Sequence, residues 1–85
     1  MLIEVTQDDI DNGRRNQPSR CPIALAIQRG TGYFVSAWIG QAVIRTQLPK
    51  ASIEIPLPEC VNQFIAAFDN GDDTAPFSFE LPYKP

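Results

Sequence analysis

The two cysteines are the most reactive side chains that this chain of 85 residues offers. Cys21 lies between Arg20 and Pro22, where the sequence predicts the start of a helix. A helix N-terminus and a neighbouring guanidinium both lower the pKa of a thiol, so Cys21 is a candidate reactive group. The chain contains no histidine to act as a base, and Cys60 is distant in sequence. We therefore interpret both cysteines first as small packing residues.

A polar segment upstream of Cys21 carries Arg14, Arg15 and Arg20, which could contact a phosphate or an acidic partner. The formal net charge of the chain is -3, and acidic residues outnumber basic ones after residue 50. Such a molecule repels a nucleic-acid backbone at long range, although a local basic patch can still form. The competing interpretation is an exposed, solvated loop.

The acidic segment from Asp69 to Asp73 has some features of a calcium-binding loop, but the pattern is incomplete. Gly71 stands where a ligand is expected, and Thr74 stands where an EF-hand requires glycine. We interpret the segment as the end of a helix, with Gly71 in the left-handed conformation and solvated aspartates around it. The sequence predicts neither a metal site nor a cofactor site.

Large apolar residues occur on both faces of a predicted strand over residues 33–39. Tyr33 shares one parity with Val35, whereas Phe34 and Trp38 share the other. A strand with two apolar faces is either covered on both sides or leaves one adhesive face exposed. We predict that Tyr33, Phe34 and Trp38 contribute to an oligomer interface.

The remaining segments alternate between short strands and helices. Thr6 and Asp9 have the spacing of a capping box before a helical turn, and Asn12-Gly13 ends that turn. Val61, Phe64, Ile65 and Phe68 form one apolar helix face. We predict strands at 2–5, 33–39, 42–48, 52–55 and 76–82, and helices at 21–29, with Ser19 as N-cap and Gly30 as terminator, and at 58–69.

This order, β-α-β-β-(β)-α-β, predicts a single α+β domain over residues 1–85. We expect a two-layer sandwich in which a mostly antiparallel sheet carries two helices on one face. Gly40-Gln41 fits a two-residue hairpin loop, and Pro49-Lys50 fits a turn. If residues 42–55 formed one bent strand, the order would be ferredoxin-like, with the first and last strands adjacent.

The N-terminal residues lack the basic start and long apolar run of a signal peptide. The longest uninterrupted apolar run, residues 23–27, is too short to cross a membrane. With two cysteines and no spacing typical of a disulfide framework, we expect free thiols and a cytoplasmic location.

Three segments together resemble short uncharacterised proteins of bacteria and their phages. They are residues 3–10, the Cys21-Pro22-Ile23-Ala24-Leu25-Ala26 segment, and the helix and strand that contain Phe64-Ile65, Phe68-Asp69 and Pro76-Phe77-Ser78-Phe79. The resemblance implies a bacterial, phage or mobile-element origin. It implies no activity and no functional residues.

No nucleotide-binding, hydrolase or phosphoryl-transfer motif occurs in the chain, so we expect that it is not an enzyme. The sequence favours a small, non-catalytic protein-interaction module that associates with itself. One alternative is a nucleic-acid-binding accessory protein that uses the arginine-rich loop. Another is a thiol-dependent enzyme or redox sensor that uses Cys21.

Overall fold

A computed structural model describes residues 1–46 and 51–83 and confirms the predicted α+β class. The elements follow one another in the order β1 (Leu2–Val5), α1 (Gln7–Asn12), α2 (Pro22–Thr31), β2 (Phe34–Trp38), β3 (Gln41–Thr46), β4 (Ala51–Pro56), α3 (Glu59–Asp69) and β5 (Phe77–Glu80). The predicted strands and the two longer helices are all present, and most bounds differ from the prediction by one or two residues. The predicted end of the third strand, residues 47–48, lies outside the described residues.

The strands form two antiparallel sheets instead of one. β1 pairs with β5, and β2, β3 and β4 form a separate three-stranded sheet with β3 in the centre. The first and last strands are adjacent, as the ferredoxin-like alternative required, but that alternative is wrong because β3 and β4 pair with each other. Their register aligns Ala42 with Ile55 and Ile44 with Ile53. A hairpin thus places both sets of apolar residues on one face.

The turn between β2 and β3 lies one residue earlier than predicted. Trp38 pairs with Gln41, so the two-residue turn is Ile39-Gly40 and not Gly40-Gln41. Gly40 has a φ of 103°, a conformation that glycine adopts without steric cost. This shift places Ile39 in the turn, where its side chain is exposed. The predicted turn at Pro49-Lys50 lies outside the described residues.

Helix α2 begins and ends later than predicted. Cys21, and not Ser19, is the N-cap, and its sulfur accepts a hydrogen bond from the Ala24 N–H group. The helix continues through Gly30, which lies against Ile3 of β1, where a Cβ atom would be 3.1 Å from the Ile3 side chain. It ends at Gly32, whose φ of 77° is left-handed. Gly30 and Gly32 could each have ended the helix, and the helix ends at Gly32, which has the left-handed conformation.

One hydrophobic core fills the space between the helices and the inner faces of both sheets. Its members are Ile3, Val5, Cys21, Ile23, Ala24, Ala26, Ile27, Val35, Ala37, Ala42, Ile44, Ile55, Leu57, Val61, Phe64, Ile65, Phe79 and Leu81. The apolar faces predicted for α2 and α3 are confirmed, because Ile23, Ala26 and Ile27 of α2 and Val61, Phe64 and Ile65 of α3 are buried.

Aromatic rings join α3 to β5. The Phe64 ring lies 6.2 Å from the Phe68 ring and 5.1 Å from the Phe77 ring, measured between centroids. Phe77 in turn lies 5.8 Å from Phe79. Phe79 is buried, and the half-buried Phe68 packs against the same core. The predicted common core of Phe68 and Phe79 is therefore confirmed.

A buried carboxylate ties β1, α1 and α2 together. Asp9 accepts hydrogen bonds from the backbone and hydroxyl of Thr6, which confirms the predicted capping box. It also forms an ion pair with Arg29 of α2, whose guanidinium donates to the Glu4 carbonyl oxygen at 2.8 Å. Burial alone would raise the pKa of Asp9, but the hydrogen bonds from Arg29 and Thr6 outweigh it and lower that pKa.

The two faces of β5 should differ sharply in their sensitivity to mutation. Phe79→Ala removes a buried ring and should lower the free energy of unfolding by about 3–5 kcal/mol. Ser78→Ala alters the exposed face of the same strand and should change it by less than about 0.5 kcal/mol. Urea denaturation of both variants checks this. Comparable losses in the two variants would show that the face of Ser78 is covered.

Candidate functional site

The side of the three-stranded sheet that faces away from the core is formed by the residues that alternate with the buried ones along β2, β3 and β4. We call this surface the outer face. The cross-strand pairs place its residues in three rows, which are Phe34, Arg45 and Ser52; Ser36, Val43 and Glu54; and Trp38, Gln41 and Pro56. Alternation along each strand places Val35, Ala37, Ala42, Ile44 and Ile55 on the opposite, buried side.

Large apolar side chains are exposed on and beside the outer face. Phe34 is 52% exposed, Trp38 is 44% exposed, and Ile39 in the adjoining turn is 61% exposed. Tyr33 does not belong to this group, because it is half-buried and packs against the core. The structure therefore places Phe34 and Trp38 on the same exposed face of β2, with the parity that the sequence predicted, and adds Ile39 beside them, whereas Tyr33 does not join them. The one-residue shift of the turn explains why the sequence did not single out Ile39.

The outer face carries one charge of each sign. The guanidinium carbon of Arg45 lies 5.7 Å from the centre of the Phe34 ring, within the range of a cation–π contact. Glu54 is exposed on the neighbouring edge strand, β4. Arg45 and Glu54 lie on this face because of the cross-strand pairing of β2, β3 and β4. The sequence alone did not predict the register of that pairing.

The free edge of β2 is occupied by the chain itself. The Ala37 N–H group donates to the Pro18 carbonyl oxygen at 2.9 Å. The Gln28 side chain donates to the Val35 carbonyl oxygen at 2.9 Å. These bonds leave little of the β2 edge for strand addition. The other edge strand, β4, ends at Pro56, which has no N–H group to donate.

A groove of about 490 Å³ adjoins the outer face at Trp38. We call it the Trp38 groove. Its lining residues come from the loop before α2, from β2 and its turn, and from α3. They are Asn16, Gln17, Pro18, Cys21, Ala37, Trp38, Ile39, Ile65 and Asp69. The sequence did not predict this groove, because it joins segments that are far apart in the chain.

The loop that contains the three candidate arginines is anchored to the body of the protein. The Asn16 N–H group donates to a carboxylate oxygen of Asp69 at 3.0 Å, and Asn16 has a left-handed φ of 58°. A backbone hydrogen bond from Arg14 to Arg20 closes the loop. Arg15 lies beside Gly71 at the end of α3. All three arginine residues are exposed.

The two cysteines have opposite environments. Cys21 is only 3% exposed, whereas Cys60 is exposed, so the prediction that Cys60 packs as a small hydrophobic residue is wrong. Its position in the first turn of α3 places it off the apolar face. Burial raises the pKa of the Cys21 thiol, and neighbouring backbone N–H groups offset this only in part. This is opposite to the lowering expected from the helix dipole and Arg20.

The acidic segment after α3 forms a helix end. Gly71 has a φ of 84°, which confirms its predicted left-handed conformation. The Asn70 side chain donates to the Asp72 carboxylate at 3.2 Å. In the described parts of the chain, no three Cys, Asp or Glu side chains converge as metal ligands.

No helix within residues 1–46 and 51–83 combines the length and apolar content needed to cross a membrane. Comparison of the chain with family models, with curated proteins and with solved structures gave no match. The outer face and the Trp38 groove are therefore the features of this protein that bear on its function.

The environments of the two thiols predict a large difference in reactivity. In the folded protein, Cys60 should react readily with a neutral thiol reagent, whereas Cys21 should react at least about tenfold more slowly because it is buried and less ionised. The rates can be measured separately in Cys21→Ala and Cys60→Ser. Fast modification of Cys21 in folded Cys60→Ser would contradict this assignment and would favour a reactive-thiol role.

Proposed function

We propose that this protein is a small, non-catalytic interaction module that binds a second copy of itself through the outer face. The observation that carries the proposal is the exposure of Phe34 and Trp38 on a sheet face that no helix among the described residues covers. Exposed apolar patches of this kind favour protein–protein contact, and aromatic residues are enriched in such interfaces.

The composition of the outer face suits pairing between identical surfaces. A two-fold interface brings one patch against its own copy, so the patch must be self-complementary. Phe34 and Trp38 supply apolar contact area at the two ends of β2, Val43 lies at the middle of the face, and Arg45 and Glu54 supply opposite charges. In a suitable two-fold arrangement, each charge can face the opposite charge across the axis without repulsion between like charges.

The small size of the domain gives a second reason for association. A chain of 85 residues buries only about 60–65% of its unfolded surface, so a single core supplies limited stability. Covering the outer face with a second copy would bury more apolar area without a longer chain. Face-to-face packing is favoured over edge-to-edge pairing through β2 because loop and side-chain groups already occupy the β2 edge.

We prefer this function to nucleic-acid binding through Arg14, Arg15 and Arg20. Arg15 lies beside Gly71, close to the acidic helix end, and the net charge of -3 opposes association with a polyanion. We also propose a cytoplasmic location and an origin in a bacterium, a phage or another mobile element. Two free cysteines suit the reducing conditions of the cytoplasm.

Sedimentation equilibrium tests the proposed self-association. The wild-type protein should change from monomer to dimer between about 1 µM and about 500 µM, the range of a weak to moderate interface. The double variant Phe34→Ser, Trp38→Ser should remain monomeric over this range, because it removes the two large aromatic side chains of the outer face.

Leu2→Ser is the matched control. Leu2 is 62% exposed, but it lies on β1 in the other sheet, so its replacement should leave the dimerisation constant within about twofold, or about 0.4 kcal/mol. A wild-type protein that remains monomeric at the highest concentration would contradict the proposal. An equal loss of association in Leu2→Ser would also contradict it.

A further inference from the structure

The Trp38 groove combines an apolar base with an aromatic ring and a carboxylate. Cys21 and Ile65 are each 3% exposed and form buried parts of its lining. Trp38 lines the same groove and is 44% exposed. Asp69 also lines it from the end of α3. A ligand with an apolar stem and a polar head would find both environments within one cavity.

The charge of the groove is negative. Asp69 is the last residue of α3, where the helix dipole contributes further negative potential, and the last turn of that helix contains no basic residue. One carboxylate oxygen accepts a hydrogen bond from the Asn16 N–H group at 3.0 Å, which fixes the position of the group. Within the described residues, no arginine or lysine forms an ion pair with Asp69.

Arg15 does not supply the missing positive charge within the groove. Its guanidinium lies beside Gly71 and lines a different cavity together with Phe68, Asp72 and Asp73. Among the described residues that line the Trp38 groove, none is an arginine or a lysine. A cation that enters the groove would therefore meet Asp69 and Trp38 without a competing positive charge from this part of the wall.

We infer that the Trp38 groove binds an arginine side chain of a protein partner. A planar guanidinium can stack on an indole while it donates paired hydrogen bonds to a carboxylate, and its methylene stem can cover apolar surface. A compact ammonium ion lacks the flat shape that stacks on a ring. The volume of about 490 Å³ accommodates the arginine together with part of the flanking peptide.

Of the described residues that line this site, only Trp38 also belongs to the outer face. The carboxylate of the site comes from α3 and lies outside the outer face. A variant at Asp69 therefore tests the groove and leaves the outer face intact. The conservative change Asp69→Asn retains an oxygen that can accept the hydrogen bond from Asn16, so the loop stays anchored while the charge is lost.

The test uses two short peptides, acetyl-Ala-Arg-Ala-amide and the same peptide with citrulline, which has the shape of arginine without its charge. Trp38 is the single tryptophan of the chain, so its fluorescence reports occupation of the groove directly. Titrations are made at a protein concentration where sedimentation shows a single species. The arginine peptide should bind at least about tenfold more tightly than the citrulline peptide, or about 1.4 kcal/mol.

Asp69→Asn should lose about tenfold in affinity for the arginine peptide, whereas the matched variant Asp72→Asn, at an acidic residue outside the groove, should stay within about twofold. Failure of the arginine peptide to bind would overturn the inference. Equal binding of the two peptides, or unchanged affinity in Asp69→Asn, would overturn it as well. These results do not test dimerisation. Dimerisation is tested separately by sedimentation of the wild type, of the double variant Phe34→Ser, Trp38→Ser and of Leu2→Ser.

Discussion

The described helices are too short to cover both faces of two sheets, and the rest of the structure depends on this constraint. Of the described helices, α1 has 6 residues, α2 has 10 and α3 has 11. The apolar faces of the two longer helices fill the core between the inner faces of the sheets, and no helix remains for the outer face. Because sheet faces that carry large apolar side chains gain free energy from burial, the outer face is where we propose that two copies associate.

A few long-range polar contacts hold the loops and helix ends in place. Asp9 joins α1 to α2 and to the end of β1 through Arg29. The bond between Asn16 and Asp69 holds the loop before α2 against the end of α3 and so forms the Trp38 groove. Trp38 stands where this groove meets the outer face, and one side chain thereby contributes to both proposed binding surfaces.

Local physical rules were sufficient to predict much of this fold from the sequence. The Thr6–Asp9 capping box, the apolar faces of α2 and α3, and the alternation of β5 each depend on residues a few positions apart. The division into two sheets and the Trp38 groove depend on contacts between distant segments, such as Asn16 with Asp69 across 53 positions. Local sequence patterns do not specify contacts between such distant segments. The predicted turn was also one residue too late, so the sequence did not identify Ile39 as an exposed turn residue.

Trp38 becomes buried when two copies meet in the proposed dimer, and acrylamide quenching of its fluorescence measures that burial directly. Trp38 is the only tryptophan and is 44% exposed in the single chain. We predict that its quenching constant falls, and its emission moves to shorter wavelength, as protein concentration rises through the range of dimerisation. A quenching constant that stays the same from the lowest to the highest concentration would contradict the account.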